Sequence, residues 1–323
     1  KRIQDTKLLR VRGVEGVEWA VPLYKGLLAA RLDNGNFQTC NVLGLDDASL
    51  IGGPPEMVQG TLADLRRADS VIVDEIGANG KLAKMPLDAN GKPIPGAKPV
   101  PLKVGDVLEL NDNRAIVVGI CRNSRTFQSQ PVVYTTYARA TKFAPKERKL
   151  LSFVLVKAKP GVSQEELCQR ITDSTKLLAL TREQMKLTTF WYFMKNTGIP
   201  INFGIAVVLG FFVGTAIAGL TFYQFTLDNL RHFGALKAMG ASNGQLLRMI
   251  LLQAVVVGVV GYGIGVGLAA FVGFSTGQSE LAFWLPWQLL AVTAVAVTLI
   301  CVLSSLFSMW KIITLEPAIV FKG

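Results

Sequence analysis

Three stretches constrain this chain more than anything else in it. Residues 201–226, 249–279 and 281–310 contain no Asp, Glu, Lys or Arg over 26, 31 and 30 residues. An α-helix needs roughly 20 apolar residues to cross about 30 Å of hydrocarbon. A soluble helix of this length would keep a polar stripe for water, so three membrane spans are expected, at about 201–226, 249–272 and 284–310.

Charge follows the same division. Of 34 Lys+Arg and 23 Asp+Glu in 323 residues, only five basic and three acidic residues lie beyond position 200. The expected organisation is a polar α+β domain over 1–198 followed by an α-helical membrane domain over 199–323. A formal charge of +11 raises nucleic-acid binding, which needs clustered cations. Here the basic residues are scattered among acids and the densest run is Lys146-Glu147-Arg148-Lys149, so a solvated basic surface is expected and no nucleic-acid partner. Cys40, Cys121, Cys168 and Cys301 have no metal-ligand spacing; free or buried thiols and no metal site are expected.

Within the polar domain, short β-type runs are expected from Val14 to Ala30, with Pro22 and Gly26 as breakers, and from Phe37 to Leu45. Thr61 to Arg67 reads as a short helix before the strand Val71-Ile72-Val73, whose end, Asp74-Glu75, reads as solvated. Residues 88–101 hold four prolines and read as a long loop, and residues 122–130 as a polar one. Val107 to Leu110 and Ala115 to Ile120 flank the turn Asn111-Asp112-Asn113 and predict a hairpin. Leu151 to Lys157 alternates as a strand, and Ser163 with Glu166 predicts a capping box opening a helix through Leu178.

The aromatic cluster Phe190-Trp191-Tyr192-Phe193 precedes the first apolar run. Trp191 and Tyr192 suit a membrane–water interface, either on an interfacial helix or on the outer turns of the span. Gly261, Gly263, Gly265 and Gly267 form two small-xxx-small pairs, which let helices approach closely. Between the first two spans lie Arg231, Lys237 and Arg248, and the tail carries Lys311 and Lys322; the connection between the last two spans has no basic residue. That asymmetry places the first connection and the C-terminus in the cytoplasm and the large domain outside. Residues 1–12 are charged and no apolar signal region follows, so a fourth span is expected upstream of Lys1.

The stretch Phe233-Gly234-Ala235-Leu236-Lys237-Ala238-Met239-Gly240-Ala241-Ser242, after an outer domain and the first of three spans, resembles the MacB/FtsX/LolC–LolE type of ABC transporter permease. Lys103-Val104-Gly105-Asp106-Val107-Leu108, Val118-Gly119-Ile120 and residues 156–162 are similar to that family's periplasmic core domain. Ser124-Arg125-Thr126-Phe127 and residues 130–137 resemble the DevC-like permeases of cyanobacterial exporters. His232 stands where the family has an acidic residue. The resemblance implies four spans, a permease dimer in the cell inner membrane, and a separate cytoplasmic ATPase that binds ATP and Mg. In the exporter branch it also implies a membrane-fusion protein and an outer-membrane channel.

The expected site is a coupling helix at about 228–247, docking on that ATPase. Gly234 and Gly240 would give close approach or a sharp turn, and Leu236, Met239 and Leu246 apolar contacts. Arg231 and Lys237 would meet an acidic rim, with His232 and Phe233 in the same stretch. No nucleophile–base pair or phosphate loop is present, so the chain itself is expected to be non-enzymatic and to bind no cofactor. The uncharged spans also disfavour an intramembrane enzyme or a polar pore, which leaves lipids, lipopeptides or other hydrophobic compounds as substrates. The alternative from another class is a membrane-anchored sensor that binds a ligand or partner outside.

Overall fold

The computed structural model describes residues 5–32, 35–86, 88, 94, 97–123, 130–145, 152–275 and 285–313. Residues through Leu187 and residues from Thr188 form two compact units. The division falls inside a helix, not at 198/199.

The first unit has two layers of origin. A small layer joins α1 (Asp5–Arg12), the first half of β1 (Val17–Arg31), β8 (Phe153–Ala158) and α4 (Gln164–Thr175), with Val11, Val17, Ala20, Leu167 and Ile171 buried between them. The remaining strands are β2 (Phe37–Leu45), β3 (Glu56–Gln59), β4 (Ser70–Asp74), β5 (Val107–Leu110), β6 (Asn113–Arg122) and β7 (Val132–Thr136). Pairing runs β1-β2-β7-β4-β6-β5 and returns to β1, so the ring closes. Closure leaves no open edge among these six strands, while β3 and β8 each pair on one side only, with β6 and β1. Two helices, α2 (Glu75–Asn79) and α3 (Tyr137–Phe143), contribute Ala78, Ala140 and Phe143 to its main core beside Leu28, Val42, Val71, Leu110 and Val117.

Local chemistry explains the elements. Asn111 and Asp112 take φ of 47° and 61°, and Leu110 pairs with Asn113. That is the left-handed two-residue turn that matches strand twist, so the expected hairpin forms. The expected break at Pro22 and Gly26 does not occur, because β1 runs through both. Pro22 sits where β1 pairs with β8, before pairing with β2 starts at Tyr24, so its missing N–H leaves no gap in the β2 ladder. At Gly44 a Cβ would lie 2.5 Å from the Ala140 Cβ, and only glycine lets α3 pack so close to β2. The helix expected at 61–67 is a 3-10 turn, Leu62–Arg66, with the Asp64 carboxylate accepting from the Thr61 N–H and hydroxyl at 2.8 and 2.7 Å.

Two expectations fail for identifiable reasons. Ser163 precedes α4, but its hydroxyl donates to Glu165 at 2.8 Å while Glu166 pairs with Arg170 at 2.6 Å, so no capping box forms. The helix then stops at Thr175 because Lys176 turns left-handed, at φ 58°. Asp74 is not a solvated strand end. It is 7% exposed and its carboxylate accepts from the Gly77 N–H at 3.0 Å and the Val132 N–H at 2.6 Å, capping α2 and anchoring β7. Glu75 is half-buried and bonded to Arg122.

The four cysteines are free. Burial pushes the Cys40 and Cys121 thiols up to about 12, with the Asp74 carboxylate adding to the effect. The second unit contains α6 (Ile199–Asp228), α7 (Leu230–Ala238), α8 (Asn243–Ser275) and α9 (Trp287–Ile313); α5 (Arg182–Asn196) leads into it. Within α6, α8 and α9 are the three helices long and apolar enough to cross a membrane. The first two, Pro200–Asp228 and Asn243–Ser275, extend the expected spans at both ends, whereas the third, Trp287–Leu306, is shorter at both.

Candidate functional site

The expected coupling helix at 228–247 resolves into two parts. Only Leu230–Ala238 forms α7, and residues from Asn243 already belong to α8. The residues between them explain the break. Gly240 has φ +100°, its N–H donates to the Lys237 carbonyl at 3.1 Å, and the Ala241 N–H reaches back to the Leu236 carbonyl at 3.0 Å. This pair of bonds around a left-handed glycine is the Schellman stop. Gly240 therefore makes a sharp turn.

Ser242 starts the next helix. Its N–H donates to Gln245 Oε1 at 2.9 Å and the Gln245 N–H donates to Ser242 Oγ at 3.3 Å, a reciprocal capping box. Ala241 serves both ends, packing with Leu236 and with the buried cluster of Phe233, Leu246 and Ile250. The same chemistry opens α5, where the Thr181 N–H donates to Gln184 Oε1 at 3.1 Å and the Gln184 N–H to Thr181 Oγ1 at 3.3 Å. Both boxes stand in the sequence as Thr/Ser-x-x-Gln, the signal that marks them.

Packing sorts the expected site residues. Phe233, Gly234 and Leu246 are buried, and Leu236 and Lys237 are half-buried, so Phe233, Leu246 and Leu236 hold α7 against α8 rather than facing outward. Arg231, His232, Met239 and Gly240 are exposed. Along α7 and its C-cap, positions 231, 232, 235, 238 and 239 share one side; all are exposed there except Ala235, which is half-buried. Met239 is 76% exposed, at the upper end of a range it shares with Leu178, Phe274 and Trp287.

The glycine pairs behave differently from expectation. A Cβ at Gly261, Gly263, Gly265 or Gly267 would meet nothing in this chain within 4 Å. Packing uses instead the i, i+4 row Leu246, Ile250, Ala254, Gly258 and Tyr262. Phe222, Ala254 and Cys301 are buried together, a Cβ at Gly258 would lie 3.2 Å from Cys301 Sγ, and the Tyr262 hydroxyl donates to the Leu290 carbonyl at 2.8 Å. Trp191 and Tyr192, both exposed, lie on α5, none of whose residues is buried. Among the described residues no group of His, Cys, Asp and Glu could hold a metal ion. The motif Ser124 to Phe127, half of the loop at 88–101, most of the loop at 122–130, the run 146–149, the connection at 276–284 and Lys322 lie outside the described residues.

The sequence pattern of the MacB-like periplasmic core domain matches residues 2–174, over half of the chain, and that of the FtsX-like permease C-terminal region matches residues 187–317. The chain belongs to the MacB/FtsX-type ABC transporter permeases. An uncharacterized ABC transporter permease of Methanocaldococcus jannaschii is 24% identical to this permease over 237 residues, 69% of this chain and 58% of that protein. Uncharacterized ABC transporter permeases from two Mycobacterium tuberculosis strains are 23% identical over 223 residues, 68% of this chain and 58% of theirs. The permease chain thus spans a little over half the length of these relatives. The periplasmic region of MacB from Actinobacillus actinomycetemcomitans is 14% identical, covering 61% of this chain and 85% of its own, with a TM-score of 0.39.

Proposed function

We propose that this permease is the membrane subunit of an ATP-driven exporter or mechanotransmission complex, with the exposed side of α7 as the docking surface for a separate cytoplasmic ATPase. The observation that carries this is the arrangement of α7. One side is fixed to α8 by Phe233, Leu236 and Leu246, while the other presents Arg231, His232 and a largely exposed Met239. An exposed apolar anchor beside an arginine is what a helix-in-groove contact uses.

The remaining parts of the complex follow the family. ATP and Mg belong to the partner ATPase, and the permease works as a dimer in the cell inner membrane with its large domain in the periplasm. A membrane-fusion protein and an outer-membrane channel complete an export path. The substrate class is lipids, lipopeptides or other hydrophobic compounds, because the runs 201–226, 249–279 and 281–310 offer no charge to a polar one. The four aromatics at 190–193 step by about 100° each around α5, which suits a helix rising through the headgroup layer better than one lying along it.

Purification of the native complex, with mass spectrometry of co-purifying proteins and lipids, tests the reading. An ABC ATPase present in near-stoichiometric amount is expected. Ligand-dependent change in the outer domain with no ATPase present would favour a sensor.

A further inference from the structure

The two joints that bound α7 are built differently. On the α8 side, the Schellman pair at Gly240 and Ala241, the capping box between Ser242 and Gln245 and the buried contact of Phe233 with Leu246 and Ile250 tie the helices across only four residues. On the α6 side the helical ladder breaks at Asn229, with φ −98° and ψ 12°. The N–H groups of Leu230, Arg231 and His232, as the first three of α7, have no acceptor inside it. Bonds at that joint include Asn229 N–H and Nδ2 to the Phe225 carbonyl, at 3.1 and 2.9 Å, and Phe233 N–H to the Asn229 carbonyl at 3.0 Å.

We infer that α7 and the first turns of α8 move as one rigid lever about a hinge at Asn229, so that force applied to α7 enters the membrane through α8. This rests on the docking reading for the source of the force, but the lever itself does not need a partner. The row Leu246, Ile250, Ala254, Gly258 continues the same helix face from the elbow into its packing with α6 and α9. A tilt of α7 is therefore delivered along α8 to the point where the three long helices meet. Ser242 is a positioning residue in this device, since its side chain fixes the angle at which α8 leaves the elbow.

Amide hydrogen exchange on the full chain in lipid nanodiscs tests the lever. Amides of residues 230–232 are expected to exchange at least about tenfold faster than those of 239–242, 245 and 246, because only the second group is bonded across its joint. Ser242→Ala should speed exchange at Gln245 roughly fivefold, the effect of a lost N-cap, and Ser242→Asp, which keeps an acceptor, should restore protection. Equal exchange at the two joints, or no response to Ser242→Ala, would overturn the inference. Failure of the docking reading would appear separately, as an ATPase that does not co-purify while the exchange pattern stays as described.

Discussion

Met239→Ala and Met239→Glu probe the docking side of α7 directly. Fully burying a methionine side chain contributes about 1.5–3 kcal/mol. Met239 is 76% exposed in this chain, so docking can bury at most about three quarters of it, worth roughly 1–2 kcal/mol. Removing it should weaken ATPase binding about five- to thirtyfold. Glutamate adds the desolvation of a charge in an apolar pocket and should weaken binding by a further factor of ten or more. Because Met239 is largely exposed and belongs to no buried cluster among the described residues, neither change should lower the permease's thermal stability by more than about 0.5 kcal/mol. The assay is binding of purified ATPase to nanodisc-held permease, read beside a thermal melt of each variant. Unchanged affinity for Met239→Glu would refute the argument from exposure. A fall in affinity matched by a fall in melting temperature would refute the claim that the residue acts only at the surface.

Other expectations follow from the outer domain and the spans. Asp74→Ala leaves the buried Gly77 and Val132 N–H groups without their acceptor and should cost about 3 kcal/mol, measured by denaturant unfolding of the outer domain's signal in the full chain. Cys40 and Cys121 should resist maleimide at pH 8 in the folded permease, while half-buried Cys168 reacts faster. The two buried thiols stay protonated to about 12 when folded but ionise from about 9 when unfolded. The unfolded state therefore holds fewer protons above pH 9, and stability should fall as pH rises from 9 to 12, visible as a declining melting temperature. Gly258→Val drives a branched side chain into Cys301 and should destabilise the α8–α9 contact by about 1–3 kcal/mol. Cys301→Ala should recover most of that loss in detergent-stability assays.

The architecture was legible where local chemistry decides it. Charge-free runs longer than a bilayer demands located three helices, and Asn111-Asp112 located a hairpin, because both signals lie within a few consecutive residues. The closed ring was not legible, since β1 meets β5 and β8, and β2 meets β7, through pairings far apart in sequence. Asp74 was misread for the same reason, because its second partner, Val132, lies 58 positions away. The capping signal was present at Ser242 and Gln245 and at Thr181 and Gln184, yet Ser163 with Glu166 resembled it more closely and did not form it. There the competing ion pair between Glu166 and Arg170 wins. At the site, Gly240 was legible as a turn, whereas the division of α7 into a buried and an open side depended on where α8 folds back. The glycines at 261–267 are the denser small-residue signal in the sequence, but the chain's own packing uses the row Ala254 and Gly258.

Site-specific photo-crosslinking tests the central claim most directly. A photoreactive residue at position 239, in permease expressed with its native membrane partners, is expected to capture an ABC ATPase on irradiation. The same residue at buried position 246 is expected to capture only the permease itself. Capture of the ATPase from position 246 but not from 239, or from neither, would contradict the assignment of the open side of α7 as the surface through which ATP hydrolysis reaches this permease.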